Sequence, residues 1–266
     1  MKALIFIYTN TKNTLLACQY LSRQIPDCEW EFYDIKKNKD QDINNINFQD
    51  YILFGFACYT DAWDVPNFMK DFIRKLPSIK NKYAFVFNTY GATTGKTLKK
   101  LSDLIITKGF TVINGFSLHC PENYPPMIAM GMGNASAPSP KEKNNFFKFI
   151  QDLKNNINLI KQNKKPEIKK INIGFWKYTP QYPHSLIDLL MGQKKVNQEK
   201  CRKCGLCCRQ CPVNAIKLEP YPVFDEQKCL KCWACYNLCP QQAIYTTTFK
   251  KSRYAKPNQQ LKEKFD

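Results

Sequence analysis

Eight of the 13 cysteines in this 266-residue chain form two runs with the same spacing. In each run, two residues separate the first cysteine from the second and the second from the third, and the fourth cysteine follows the third after three residues and precedes a proline. The flanking lysines and the Ala-Ile pair after each run repeat at the same offset as the cysteines. The runs are Cys201, Cys204, Cys207 and Cys211, then Cys229, Cys232, Cys235 and Cys239. They indicate an internal duplication of a metal-binding segment.

The spacing within each run is typical of 4Fe-4S ligation. Three closely spaced cysteines supply three thiolates to one cubane, whereas the cysteine before the proline ligates the other cluster. We therefore expect one cluster on Cys201, Cys204, Cys207 and Cys239, and another on Cys229, Cys232, Cys235 and Cys211. A pair of four-cysteine zinc sites is the alternative, but such sites usually come from two separated Cys-x2-Cys pairs. Cys208 falls outside the pattern and is predicted to be a bystander thiol.

Residues 195–250 resemble the two-cluster ferredoxins of bacteria in these cysteine runs. The resemblance implies a small α+β domain. Short strands are expected before and after each run, near 196, 216–218, 223–224 and 244–246.

The segment from residue 1 to residue 160 alternates between short apolar runs and stretches with helical periodicity. The apolar runs predict strands at 3–8, 51–56, 83–87 and 111–116, and an alternating pattern predicts another strand at 30–33. The periodic stretches predict helices at 15–21, 66–76, 96–107 and 143–161. Five strands separated by helices predict an α/β fold with an open, doubly wound parallel sheet. Ligands of such sheets bind at the carboxyl ends of the strands.

The loop after the first strand is rich in hydroxyl and carboxamide side chains. It leads directly into a helix, whose first N–H groups favour an anion. The loop resembles the FMN phosphate loop of flavodoxins, with its pattern Ser/Thr-x-Thr-Gly-x-Thr. The candidate phosphate-binding residues are Thr9, Asn10, Thr11, Lys12, Asn13 and Thr14. Lys12 stands where flavodoxins have glycine, and it either adds charge to the phosphate site or blocks the tight turn.

The loops after the third and fourth strands supply aromatic rings that can stack on an isoalloxazine. From the third strand the candidates are Ala57, Cys58, Tyr59, Thr60 and Trp63. From the fourth strand they are Thr89, Tyr90, Gly91, Ala92 and Gly95. Together with the phosphate loop, they predict FMN as the ligand of the sheet.

The chain as a whole resembles the flavodoxin–ferredoxin fusion family, from the phosphate loop at one end to the eight cysteines at the other. The resemblance implies a flavodoxin-like FMN-binding domain at 1–161, a linker at 162–194, a two-cluster ferredoxin domain at 195–250 and a basic C-terminal tail at 251–266. It also implies electron transfer between FMN, two 4Fe-4S clusters and a partner redox enzyme.

Two other functions remain open at this point. One is an iron–sulfur flavoprotein reductase acting on a quinone or nitro compound. The other is a flavin-free ferredoxin whose first domain serves for docking. No residue is assigned a catalytic role, and whether the chain is an enzyme stays undecided.

The formal charge of +18 favours an acidic redox partner, because a positive surface attracts one. The lysines are spread along the chain, many beside asparagine, which argues against a nucleic-acid site. No apolar run reaches the roughly 18 residues of a membrane span, and no export signal is recognised. We therefore expect a cytoplasmic protein with thiols and not disulfides, and a homodimer is compatible with the sequence.

Overall fold

The computed structural model describes residues 1–180, 191–250, 253 and 259–265. The rest of the predicted linker, 181–190, and most of the predicted tail, 251–252, 254–258 and 266, lie outside the described residues.

A five-stranded sheet forms the centre of the first domain. Its strands are β1 Lys2–Tyr8, β2 Glu29–Asp34, β3 Tyr51–Tyr59, β4 Tyr83–Tyr90 and β5 Thr111–His119. They are ordered β2-β1-β3-β4-β5, and every neighbouring pair is parallel. This is the flavodoxin-like order, so the predicted fold class is confirmed.

Helices cover both faces of the sheet. They are α1 Asn13–Arg23, α2 Asn67–Lys75, α3 Thr97–Thr107, α4 Pro125–Ala129 and α5 Pro140–Lys161. Successive strand residues point to opposite faces, so Ile5 joins a core with Phe149 of α5, whereas Phe6 joins a core with Leu101 of α3. Burial on both faces explains the continuous apolar runs of β1, β3 and β4 in the sequence, whereas the edge strand β2 has no fully buried residue.

Strands β3, β4 and β5 extend further at their carboxyl ends than their apolar runs predict. Ala57 pairs in register with Ile7 on one side and with Phe87 on the other. Each added pair satisfies backbone N–H and C=O groups that would otherwise be buried without partners. Ala57 and Cys58 therefore lie inside the sheet, fully buried, and not in the loop that follows it.

The second domain repeats one unit twice. Its elements are β6 Lys194–Val196, α6 Leu206–Arg209, β7 Ile216–Glu219, β8 Tyr221–Phe224, α7 Ala234–Leu238 and β9 Ile244–Thr246. Strand β6 pairs antiparallel with β9, and β7 pairs antiparallel with β8. The elements of the first half, β6, α6 and β7, correspond in order and spacing to β8, α7 and β9 of the second, as the duplicated sequence predicts.

Segments on either side of the second domain pack against the first. The Lys169 N–H donates to the Ile113 carbonyl at 2.8 Å, which fixes the start of the linker beside β5. After the second domain, helix α8 Gln259–Phe265 buries Leu261 and Phe265 in the core of the first domain. The Phe265 ring lies 4.5 Å from the ring of Tyr20. The segment predicted as a basic tail therefore contains a helix docked on α1.

Within the part of the chain that the structure describes, none of the helices is both long enough and apolar enough to cross a membrane.

A buried carboxylate holds the loop after β3 against the helices behind it. Asp64 accepts hydrogen bonds from Lys100 Nζ at 2.7 Å and from the Val65 N–H at 2.6 Å, and Lys70 Nζ lies 3.0 Å away. Burial alone would raise the pKa of Asp64, but the hydrogen bonds from Lys100, Lys70 and Val65 outweigh it and lower the pKa below its ordinary value. The charged form of Asp64 thus stabilises the folded state.

We expect Asp64→Asn to lower the free energy of unfolding by about 1–3 kcal/mol at pH 7, because it leaves two lysines beside a neutral group. A lowered folded-state pKa gives stability that is present above the unfolded value, 3.8, and is lost as the pH falls through the folded value. The gap between wild type and variant should therefore close below about pH 4. Urea unfolding at several pH values measures it.

Asp71→Asn is the matched control, because the Asp71–Arg74 pair is exposed and contributes about 0–1 kcal/mol. An equal loss of stability in both variants would contradict the role given to Asp64.

Candidate functional site

Two cavities between the halves of the second domain collect the eight cysteines of the duplicated runs. The first cysteine cavity, about 450 Å³, is lined by Cys201, Cys204, Cys207 and Cys239. The second cysteine cavity, about 370 Å³, is lined by Cys211, Cys229, Cys232 and Cys235. Cys235 also borders the first cavity, and Cys208 lines neither. Among the described residues, no three His, Cys, Asp or Glu side chains are placed to hold a single metal ion.

Each cavity therefore receives three cysteines from one run and the fourth from the other. The chain changes direction between the third and fourth cysteine of each run, so the fourth cysteine reaches the cavity that the other run lines. Helices α6 and α7 carry the third cysteines, Cys207 and Cys235, and the fourth lies beyond the helix.

The loops around the cysteines repeat their backbone conformation as well as their sequence. Residues in the left-handed region occur at corresponding positions of the two halves: Lys203 and Lys231, Gly205 and Trp233, Asn214 and Gln242. A tryptophan is costly at a positive φ, where glycine is the usual residue. Trp233 is only 5% exposed and packs against Tyr124, Tyr236 and Phe249, so its burial offsets that cost.

A third cavity, about 360 Å³, opens at the carboxyl ends of the sheet strands. We call it the strand-end cavity. Of the predicted flavin-site residues, it is lined by Thr9, Asn10, Thr11, Asn13, Thr14, Tyr59, Thr60, Thr89, Tyr90 and Gly91. The structure thus brings the ends of β1, β3 and β4 to one place.

Six predicted residues do not line this cavity: Lys12, Ala57, Cys58, Trp63, Ala92 and Gly95. Trp63 packs instead against Trp176 of the linker, with 5.1 Å between ring centroids, and donates from Nε1 to Thr93 at 2.6 Å. A Cβ on Gly95 would lie 2.3 Å from the Trp63 Cβ, so Gly95 permits this packing.

The binding residues predicted from the sequence do not include the wall that follows β5. Residues 120–123 line the strand-end cavity, and the Glu122 carboxylate accepts N–H groups from Ala92, Asn123 and Tyr124 at 2.8–3.0 Å. A Cβ on Gly91 would lie 2.2 Å from Glu122 Oε2, so a larger residue there would displace the Glu122 carboxylate from this position. The predicted position of β5 next to β4 could have indicated this wall, because the carboxyl end of β5 must lie at the same edge of the sheet as that of β4.

Hydrogen bonds between side chains order the polar half of the cavity. Thr14 and Thr89 hydroxyls lie 2.9 Å apart, and Asn123 Nδ2 donates to the Thr11 hydroxyl at 2.9 Å. The Thr11 oxygen accepts in that bond, so its own O–H stays available to a ligand.

Two tyrosines, Tyr59 and Tyr90, supply the aromatic part of the lining. The Tyr90 ring stacks on His119, with 5.1 Å between centroids, and His119 Nδ1 lies 2.9 Å from Glu142 Oε1. Burial raises the pKa of Tyr90 to about 12, so its phenol stays neutral at physiological pH.

The strand-end cavity and the second cysteine cavity lie against each other. Asn10, which lines the former, donates from Nδ2 to the carbonyl of Cys232, which lines the latter, at 3.3 Å. Asn237 Nδ2 donates to the Asn123 carbonyl at 2.7 Å, and the Tyr124 and Trp233 rings meet edge to face at 6.2 Å.

Two lysines of the first domain hold the far side of the same contact. Lys36 Nζ donates to Gln210 Oε1 at 2.9 Å, and Lys39 Nζ donates to Asn214 Oδ1 at 2.6 Å. The interface between the domains is therefore polar and extends on both sides of the second cysteine cavity.

Comparison with known families identifies the second domain. The family model for the 4Fe-4S binding domain matches residues 194–217 and again residues 222–245. Residues 194–245 form a tandem 4Fe-4S binding domain. The chain carries 4Fe-4S clusters next to a domain with the flavodoxin-like strand order, the combination expected of an electron-transfer protein.

Solved structures similar to this chain align with its first domain. A flavodoxin from the domain Archaea is 13% identical, with a TM-score of 0.42, over 59% of this chain and 99% of its own. A flavodoxin from Pseudomonas aeruginosa is 10% identical over 58% and 97%, with a TM-score of 0.42. An NADH:FMN oxidoreductase in its apo form is 13% identical over 57% and 88%, with a TM-score of 0.43. No curated protein sequence matches the chain.

Within the 4Fe-4S binding domain, backbone N–H groups donate to cysteine sulfurs at matching places in the two halves. The Ala215 N–H lies 3.2 Å from Cys211 Sγ, and the Ala243 N–H lies 3.3 Å from Cys239 Sγ. Such bonds stabilise negative charge on cluster ligands and are one determinant of reduction potential. They recur at the same offset from the fourth cysteine in the two halves, as the duplication predicts.

We expect Cys239→Ala to lose about half of the bound iron, because it removes the fourth thiolate of the first cysteine cavity while the second keeps its own set. Iron and acid-labile sulfide, measured after anaerobic reconstitution, test this, together with the EPR spectrum of the reduced protein. Cys208→Ala is the control and should keep all of its iron, since Cys208 lines neither cavity. Equal iron loss from both variants would show that the ligand set includes Cys208.

Proposed function

We propose that this chain is an electron carrier that binds one FMN in the strand-end cavity and two 4Fe-4S clusters in the cysteine cavities, and exchanges electrons with a separate redox protein. The observation that carries the proposal is the 3.3 Å hydrogen bond from Asn10 to the carbonyl of Cys232. It joins the phosphate-type loop of one domain to a cluster-ligand loop of the other.

The phosphate-type loop suits the anion of FMN. Lys12 adopts φ 68° and ψ 2°, the left-handed conformation that glycine would supply, and its side chain is exposed. The tight turn therefore forms with lysine at this position, and the positive charge of Lys12 lies near the loop that would hold the phosphate. The backbone N–H groups of Thr11 and Lys12 donate to no acceptor within the described part of the chain, which leaves them for a phosphate.

Side chains of the loop add further groups of suitable chemistry. The Thr11 hydroxyl is held by Asn123 so that its proton can be donated. The Oδ1 atom of Asn10 is buried without a hydrogen-bond partner among the described residues, which a ligand hydroxyl or N–H would satisfy.

The cysteines supply two ligand sets under this proposal. Those of the first cavity, Cys201, Cys204, Cys207 and Cys239, hold one cluster, and those of the second, Cys211, Cys229, Cys232 and Cys235, hold the other. The second set lies beside the flavin site, because Cys232 contacts Asn10 there.

Bound FMN accepts two electrons and each cluster accepts one, so the pairing can connect two-electron with one-electron donors. The chain's own residues hold these groups in place. Glu122 and Asn123 close the wall after β5, and the neutral phenol of Tyr90 adds no charge beside the flavin.

Anaerobic purification followed by counting of iron, sulfide, zinc and flavin tests the proposal. We expect about eight iron, about eight sulfide and about one FMN per chain, with clusters that interact magnetically in the reduced protein. Zinc in place of iron would refute the cluster assignment. A full complement of iron with no bound FMN after reconstitution would leave a flavin-free ferredoxin.

We expect Thr11→Val to weaken FMN binding by about 10- to 100-fold, because one hydrogen bond to a charged phosphate contributes about 1.5–3 kcal/mol. Quenching of flavin fluorescence on titration measures the Kd, and the iron content should not change. Thr107→Val is the control, since Thr107 is exposed at the end of α3 and bonds only to Leu104. Unchanged FMN affinity in Thr11→Val would remove the phosphate role from this loop.

A further inference from the structure

The duplicated unit gives the 4Fe-4S binding domain two equivalent faces, and among the described residues the first domain covers one of them. The covered face, residues 230–237, lies against the first domain through Cys232, Trp233 and Asn237. Among the described residues, none of the first domain packs in this way on the equivalent face of the first half. There Cys204 is exposed where Cys232 is half-buried, and Gly205 stands where Trp233 is buried.

We call this second surface the open face and define it by Lys200, Arg202, Lys203, Cys204, Arg209 and Leu218. It borders the first cysteine cavity, which Arg202, Lys203 and Leu218 help to line. The face includes an exposed apolar side chain, because Leu218, which lines that cavity, is 40% exposed. An exposed cysteine, an apolar side chain and a charged rim are therefore combined on this face.

The rim is cationic and lacks carboxylate partners. Lys200, Arg202, Lys203 and Arg209 are all exposed, and none of them forms an ion pair with another residue of the described chain. Glu199 is the single acidic residue between positions 198 and 210. Arg209 donates instead to the Cys204 carbonyl at 3.0 Å, so its charge lies over the exposed cysteine.

We propose that the open face is the docking surface for an acidic one-electron carrier protein. This partner would cover the first half of the repeat, as the first domain covers the second half. Cations without carboxylate partners among the described residues, placed around an exposed ligand loop, attract a negatively charged partner and orient it toward the nearer cluster. A second copy of this chain does not fit the patch, because each copy carries a formal charge of +18.

This inference rests on the proposed function and adds the point at which electrons leave or enter. A reduced cluster held by the cysteines of the first cavity would give one electron to the partner's oxidised centre, and no bond would form or break and no proton would move. Electrons from the flavin would reach it through the cluster of the second cavity, which lies on the covered face.

The test uses the anaerobically reconstituted holoprotein, reduced by dithionite, and an acidic rubredoxin in its ferric form as the probe. Stopped-flow absorbance gives the second-order rate constant for rubredoxin reduction at low and at high ionic strength. The variant is Lys200→Glu/Arg202→Glu. Its matched control, Lys164→Glu/Lys165→Glu, makes the same change of net charge on exposed lysines of the linker.

We expect the open-face variant to lower the rate constant by about tenfold at low ionic strength and to lose most of its salt dependence, and the control to change by less than about twofold. Equal effects in both variants, or none, would overturn the docking surface. Iron content and the EPR spectrum verify that the clusters are intact. If the glutamate variant loses them, Lys200→Gln/Arg202→Gln replaces it, with an expected decrease of about threefold.

Two further outcomes decide against the proposal. One is that the protein binds single-stranded DNA, or vesicles containing phosphatidylserine, more tightly than it binds rubredoxin, and that the open-face variant loses this binding. That result would assign the open face to another class of partner. The other is equal reduction of a basic cytochrome c and of rubredoxin at low ionic strength. Failure of the proposed function is separate, since it would appear as missing flavin or missing clusters before any partner is added.

Discussion

All strands of a parallel sheet end at the same edge, and the chemistry of this protein depends on that geometry. The ends of β1, β3 and β4 carry the threonines, asparagines and tyrosines of the strand-end cavity, and the segment after β5 closes it. The 4Fe-4S binding domain packs at this edge through Cys232 and Asn237 and not on the helical faces, which are already covered. Under the proposed function, this edge of the sheet would bring the flavin and the nearer cluster close together.

The two halves of the repeat have similar sequences and backbone conformations, but different surroundings. Gly205 and Trp233 occupy the same position in the two halves and share the left-handed conformation. Glycine adopts it at little cost, whereas the tryptophan needs the burial that Tyr124 and Phe249 supply. The half that carries tryptophan is thus adapted to a covered surface, and the half that carries glycine to an exposed one.

Sequence reasoning predicted the fold and the cysteine runs because both depend on local patterns. Apolar runs indicate buried parallel strands, and the repeated cysteine spacing indicates 4Fe-4S ligation. It did not predict that β3 continues through Ala57 and Cys58, since that extension depends on pairing with β1 and β4 and not on the residues alone. Trp63 likewise resembles a flavin-stacking ring, but a linker residue distant in sequence, Trp176, packs against it. Glu122 has no local signature, because one of its partners, the Ala92 N–H, lies far away in the sequence, after another strand.

Helix α8 gives the second domain two covalent connections to the first, one at each of its ends. The chain leaves the first domain after the linker segment beside β5, forms the 4Fe-4S binding domain, and returns so that Leu261 and Phe265 complete the core around Tyr20 and Phe146. In topological terms the second domain is an insertion and not an appendage. A domain held at both ends has little orientational freedom to lose when it docks, so even a small polar interface can keep the two halves of the protein together.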